Sequence, residues 1–393
     1  MRGLRPGVLL ALALVLLQSG CSAIAPVDSA SALSGRSDLL MVVIDDPRSE
    51  GERLGLNGPG YAPRIAYRDE PVLRRRAARI AADYDLALLE QWPLRNLALH
   101  CFVIEPPDAA TLTRLRADAR VRWVQPFNEF ETLALPTAAA RAEAQDAHQV
   151  MARFFEAVPE RGAGVKIAVV DTDIDRSHPD LVNAMLHRAN FAGRRGQPEK
   201  EAHGTAVVGL IAASPATQDG LSGLAQEADV HLLRGCWQQG GGGRCNTLTL
   251  ALALDAAIDL QPQILNLSLS GRADPVLQAL VERLLAQGTL VIAAYDEQRA
   301  PAERFPAPGP GVIYAWGAPA ATPAVAVPMP PNVAVLAAPR DALSLAPMAG
   351  YELVSGHSIA APQVAALAAC LMARDEDAPR AAIQSRLASW LAL

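Results

Sequence analysis

Apolar and polar positions follow two different rhythms along this chain. In the first, an unbroken apolar run at residues 39–44 predicts a strand, and an Arg- and Ala-rich stretch at 72–84 has helical spacing. A second apolar strand follows at 97–104; Asp108 then caps a short helix, and residues 121–126 close with a strand. Strand, helix, strand, helix, strand implies a small α+β domain. From Gly164 apolar strands at 165–170, 230–233, 264–269 and 290–294 alternate with helical patterns that begin at His203, span 248–260 and 276–286, and resume after Ser358. That alternation predicts an α/β domain, a parallel sheet with helices on both faces, whose functional residues gather beyond the carboxyl ends of the strands. The Pro-rich stretch 301–339 reads as edge strands and loops on one side of the core.

Composition narrows the partners. Lys and Arg number 35 against 41 Asp and Glu, a net charge of -6 that offers no basic field for a nucleic acid. A protein or peptide partner is expected instead. Arg2 and Arg5 precede an apolar run too short to span a bilayer comfortably, which reads as a secretory signal. Gln18, Ser19, Gly20 and Cys21 resemble the end of a bacterial lipoprotein signal, with Cys21 as lipid anchor and Ser22 suggesting outer-membrane sorting; ordinary signal cleavage nearby is the alternative. The chain is thus expected in the bacterial cell envelope, as an outer-membrane lipoprotein facing the periplasm, or secreted. In that oxidising setting Cys236 and Cys245 are candidates for a disulfide closing a small loop, the alternative being two free thiols; Cys101 and Cys370 sit in buried-looking runs and receive no chemistry.

Three islands carry the candidate chemistry: Asp171 with Thr172 and Asp173, His203 with Gly204 and Thr205, and Gly356, His357 and Ser358 followed by Ile359, Ala360, Ala361 and Pro362. A serine hydroxyl is a poor nucleophile unless a base takes its proton, and a histidine does so best when a buried carboxylate fixes its tautomer. Ser358, His203 and Asp171 are those candidates. Alone, each has a plainer reading, as a helix cap, a packed polar residue or a strand end; their order, acid, base, nucleophile, joins them. With the run Asp175 to Leu181, which contains His178, Pro179 and Asp180, these islands resemble those of the subtilisin-like serine peptidases, the subtilases, over about residues 161–372.

The resemblance implies a serine endopeptidase acting through an acyl-enzyme, with Ser268, Leu269, Ser270 and Gly271 as the strand that pairs with extended substrate. It also implies that residues 112–130, with Asp118, Arg120, Val121, Val124 and Pro126, end a ferredoxin-like inhibitory prodomain that is itself a partner of the active site; a permanent accessory domain is the alternative. The expected organisation is a signal at 1–21, a tether at 22–37, the inhibitor-like domain at 38–135, a linker and leading helix at 136–160, and the peptidase domain at 161–393. Three departures stand out. Asp296 occupies the place of the family's oxyanion-hole asparagine, preceded by Tyr295, and could donate only if protonated; Asp173 adds a carboxylate that could raise the proton affinity of the base; His357 replaces a threonine. They leave open an alternative in which the chain is a catalytically weakened binding or scaffold protein. Calcium is common in the family and Asp180 lies near where some members bind it, but the loop 214–220 is not preserved in kind, so no cofactor or metal is assigned.

Overall fold

A computed structural model describes residues 33–48 (34 and 37 apart), 71–132, 135–136, 159–193, 201–240 (216, 218 and 219 apart), 242–318 and 334–391. The expected signal at 1–21 lies outside the described residues, as do most of the tether and of the linker.

The N-terminal part runs β1 (Leu40–Asp45), α1 (Pro71–Asp83), β2 (Leu88–Leu94), β3 (Leu99–Ile104), α2 (Ala109–Ala117) and β4 (Trp123–Pro126), with the strands ordered β2-β3-β1-β4. This is a split β-α-β arrangement. Asp108 caps α2 by accepting the N–H groups of Ala110 and Thr111. β2 corrects the strand, helix, strand, helix, strand order: its mixture of Leu, Glu, Gln and Pro93 gives no period-2 signal, yet it pairs with β3 along its length around a bulge. Val42, Ile44, Phe102 and Ile104 point from this sheet into a core with Ala77, Ile80 and Leu115. The opposite face, Met41, Val43, Cys101 and Val103, is buried as well, against residues of the larger domain.

Beyond β5 (Glu129–Thr132) and β6 (Leu135–Pro136), the chain builds β7 (Lys166–Asp171), β8 (Leu186–Asn190), α3 (Ala202–Ala212), β9 (Asp229–Arg234), the hairpin β10 (Cys236–Gln239) and β11 (Gly242–Asn246), and α4 (Thr247–Leu260). It continues with β12 (Ile264–Leu267), β13 (Leu269–Arg272), α5 (Pro275–Ala286), β14 (Leu290–Ala294), β15 (Arg304–Phe305), β16 (Val312–Ala318), β17 (Ala334–Pro339), the hairpin β18 (Asp341–Ala346) and β19 (Gly350–Ser355), α6 (His357–Arg374) and α7 (Arg380–Leu391). Seven strands form one parallel sheet in the order β17-β16-β14-β12-β7-β9-β8. Alternate residues of β7 serve opposite layers: Ile167 and Val169 pack in the core that holds Val207, Ile211, Val364 and Leu367 of α3 and α6, while Ala168 and Val170 pack in the one that holds Leu250, Leu254, Leu277 and Val281 of α4 and α5. Burial on both faces is why these strands read as continuous apolar runs.

The Pro-rich stretch departs from the edge-strand expectation in one strand. β16 is an interior strand between β14 and β17, whereas β17 and the short β15 are edge strands of their respective sheets, as expected. β8 was hidden because His187, Arg188 and Asn190 give it a polar reading. Residues 264–269 form two strands rather than one, separated at Ser268. Gly242 and Gly243, in a segment that reads as a flexible loop, belong to an ordered strand beside which Cys236 and Cys245 are disulfide-bonded.

α6 is buried from Ser358 to Leu371. Alanine at 360, 361, 365, 366, 368 and 369 lets its axis approach the sheet closely. Ala366→Leu is therefore expected to overpack this layer and destabilise the protein by about 1–3 kcal/mol, measured by denaturant unfolding in a Ser358→Ala background that cannot digest itself.

Candidate active site

Parallel topology places Asp171 at the carboxyl end of β7, next to Arg234, its neighbour at the end of β9. His203 is the second residue of α3, and Ser358 the second of α6. These elements bring together side chains that lie 32 and 155 residues apart: His203 Nδ1 is 2.7 Å from Asp171 Oδ1, and His203 Nε2 is 3.2 Å from Ser358 Oγ. Asp171 and Ser358 are fully buried and His203 nearly so. The N–H of Thr172 also donates to Asp171 Oδ1 at 2.6 Å. With Asp171 accepting from Nδ1–H, the Nε2 lone pair faces the hydroxyl, which is the tautomer a general base requires.

The residues around His203 explain its local sequence. A Cβ on Gly204 would stand 2.5 Å from the carbonyl oxygens of both Thr172 and Asp173, so the β7 loop and the start of α3 can meet only at a glycine. The Gly204 N–H donates to Thr172 Oγ1 at 2.9 Å, and Thr205 Oγ1 donates to the Glu201 carbonyl while accepting the Asp175 N–H.

Beneath these residues lies an ion cluster that sequence reasoning did not find. Arg234, with no exposed side-chain surface, pairs with Glu201 at 2.6 Å and approaches Asp173 Oδ2 at 3.4 Å; Arg188 also pairs with Asp173, and Glu201 accepts the Asp173 N–H. Asp173, expected as a free carboxylate beside the base, is thus flanked by two guanidiniums. A single arginine closing the apolar run of β9 was the available signal, but nothing in the sequence named its partners.

The other departures also have partners. The N–H of Gly317 donates to His357 Nδ1 at 2.9 Å, the His357 ring stacks near Trp316, and Trp316 donates to Glu297. Burial holds the proton affinity of His357 below its ordinary value, against the attraction of Glu297. Asp296 accepts the N–H of Gln298 at 2.9 Å through Oδ1, and Arg299 Nε lies 2.9 Å from Oδ2. Oδ1 is thus occupied as an acceptor and Oδ2 lies beside a guanidinium; Asp296 could donate to an oxyanion only in a protonated form. Asp180 is engaged by the Leu221 N–H, by Tyr351 Oη and by the Ser214 N–H through its carbonyl, joining the 214–221 loop to the β18–β19 hairpin. Pro362, expected near the helix start, is the sixth residue of α6, so the Ser358 carbonyl lacks its usual intrahelical donor.

A second sheet, ordered β10-β11-β5-β13-β15, holds β5 as its middle strand. β5 pairs antiparallel with β11 on one side and β13 on the other, setting Thr132, Glu131 and Phe130 opposite Leu269, Ser270 and Gly271. A Cβ on Gly271 would collide with the Phe130 ring, which meets Phe305 edge-on at 5.6 Å. The Gly243 N–H donates to Thr132 Oγ1 at 2.7 Å. Leu135 then pairs with Ser355, just before the nucleophile. Ser268 is buried at the bend between β12 and β13, where it accepts from Asn266.

The sequence model of the subtilase family matches residues 162–389, which carry Asp171, His203 and Ser358. The chain belongs to the subtilase family. This subtilase is 29% identical over 229 residues to the major intracellular serine protease of Bacillus subtilis, an alignment covering 55% of this chain and 71% of that one. It is 34% identical over 217 residues to the intracellular serine protease of Paenibacillus polymyxa (52% and 65% covered) and 29% over 229 residues to thermitase of Thermoactinomyces vulgaris (57% and 81%). Among the described residues of this subtilase, no helix is long and apolar enough to cross a membrane.

Arg234→Met would leave Glu201 facing Asp173 without their shared cation. It is expected to cost about 3–5 kcal/mol of unfolding free energy, the usual consequence of breaking a buried ion pair from one side, and to lower turnover by more than the loss of folded fraction, since Arg234 links the strand of Asp171 to the helix of His203. Unfolding and turnover measured on one preparation check both.

Proposed function

We propose that this subtilase is a serine endopeptidase that cleaves extended peptide segments through an acyl-enzyme, and that residues 38–135 are its inhibitory prodomain. The Asp171–His203–Ser358 alignment is the observation that carries the enzymatic reading. Ser358 Oγ attacks the peptide carbonyl as His203 Nε2 takes its proton; the imidazolium, steadied by Asp171, returns the proton to the leaving amine, and water repeats the sequence on the ester. The free N–H groups and dipole at the start of α6 favour negative charge beside Ser358, where the tetrahedral oxyanion forms. The aligned triad favours the enzyme over the scaffold alternative, for which Asp296 is the one feature that speaks. Asp296, accepting at Oδ1 and facing Arg299 at Oδ2, supplies no side-chain donor to the oxyanion, so a turnover lowered by about 10²–10³-fold is expected, the loss known for removing the corresponding asparagine of subtilisin.

The prodomain reading is supported by β5 lying between β11 and β13 as an added strand, by Phe130 seated over Gly271, and by the buried outer face of the N-terminal sheet. β5 ends at Thr132 and β6 begins beside Ser355, so self-processing is expected between Thr132 and Leu135. Export, with Cys21 as lipid anchor on the outer membrane or with release by ordinary signal cleavage, is supported by the sequence of the first 22 residues.

A fluorophosphonate probe and intact-mass analysis test these readings together. The expected result is labelling of Ser358 in processed protein, a chain break between Thr132 and Leu135, and loss of both in Ser358→Ala. Absence of labelling after the N-terminal part has been removed would overturn the peptidase reading; labelling without any cut would overturn only the prodomain reading.

A pH dependence of release follows from Asp255 on α4, which accepts the N–H groups of Asn96 (3.1 Å) and Arg95 (3.3 Å) from the N-terminal part. Burial, opposed by those N–H groups and assisted by Asp259, pushes its carboxyl up to about 7. Exposed, it returns toward the ordinary value of about 3.9. The docked form therefore holds a proton across that window that the released form gives up, so docking is strongest at acid pH and weakens as pH rises from about 4 to 7, by at most about tenfold per unit. Dissociation of nicked protein followed against pH should show this slope, and Asp255→Asn should flatten it.

A further inference from the structure

We infer that His187, Asp229 and His231 form a binding site for a divalent transition-metal ion of the zinc type, on the edge of the central sheet away from the triad. His187 on β8 and His231 on β9 are direct cross-strand partners, and Asp229 stands two residues before His231, on the same face. One ligand atom from each of the three residues lies within 4.8 Å of the other two. Asp229 Oδ1 is 3.2 Å from His187 Nε2 and 3.1 Å from His231 Nε2. In a tetrahedral zinc site with bonds of about 2.0–2.1 Å, neighbouring ligand atoms are separated by about 3.3 Å. Two edges of the cluster therefore already have the length that such an ion would impose.

The polar bookkeeping points the same way. Asp229 Oδ1 and His231 Nε2 are covered from solvent yet neither has a hydrogen-bond partner of good geometry, although they are close to each other. The two imidazoles stack with centroids 4.5 Å apart and planes 20° apart, so both Nε2 atoms approach one oxygen from the same side. Two stacked imidazolium ions would repel. Neutral imidazole is the form that binds metal. A cation at the common focus would satisfy all three residues at once, and the half-exposed side of His187 leaves room for water as fourth ligand. Two imidazoles and one carboxylate suit zinc, with Cu²⁺ and Ni²⁺ as competitors, rather than calcium or magnesium.

The ion would tie the edge strand β8 to β9. The residue after His187 is Arg188, which grips Asp173 beneath the triad, so the expected benefit is in stability rather than in chemistry.

The test uses the full chain carrying Ser358→Ala, stripped with chelator and titrated with Zn²⁺ by calorimetry, and with Co²⁺ by visible absorption. Expected are one Zn²⁺ per chain, a tetrahedral Co²⁺ spectrum, and a melting temperature that rises with zinc concentration. His187→Ala and His231→Ala should each weaken binding at least about tenfold. Asp229→Asn, nearly isosteric, provides a variant should either histidine change impair folding, and should also weaken binding. The inference is overturned if Zn²⁺ does not bind, or if it binds equally well to the variants and is lost only with His203→Ala, which would place the ion at the triad.

Discussion

An imidazole held 2.7 Å from a buried carboxylate and 3.2 Å from a buried hydroxyl is the contact on which the rest of this structure depends. It requires three chain segments to meet with sub-ångström tolerance, which a loop alone could not achieve. Here each partner stands at the end of a rigid element: Asp171 closes a central strand, and His203 and Ser358 open helices that pack together on the same face of the sheet. Arg234 completes the frame. It is the cross-strand neighbour of Asp171 and binds Glu201, two residues before His203, so one guanidinium fixes the distance between the strand bearing the acid and the helix bearing the base. A buried ion cluster is weak support for stability; as a device for setting a register it is better placed.

The segment 129–132 joins two strands of the larger domain. An exposed strand edge is a template for any extended backbone, and β11 and β13 present two such edges facing each other. The chain's own β5 occupies both and satisfies their backbone groups. Phe130 sits where Gly271 lacks a side chain.

The departures from the family pattern are coordinated rather than scattered. Asp173 comes with Arg188 and Arg234; His357 comes with Trp316, Glu297 and the Gly317 N–H; Asp296 comes with Arg299. Each polar replacement has acquired a counter-ion or a hydrogen-bond partner, as burial demands. Loss of chemistry would not require such matching.

By itself the sequence determined the α/β rhythm, both buried layers and the identity of the three triad residues, because apolar periodicity and short contiguous motifs are local properties. It missed β2 and β8, whose polar residues mask their pairing, and set β16 at the margin because prolines surround a strand that is interior. The Asp173, Arg188, Glu201 and Arg234 cluster, the placement of β5 between β11 and β13 and the acceptor role of Asp296 were decided only by tertiary structure. Each is a relation between residues far apart in the chain, and a charged residue in one dimension does not reveal which counter-charge the fold will bring against it.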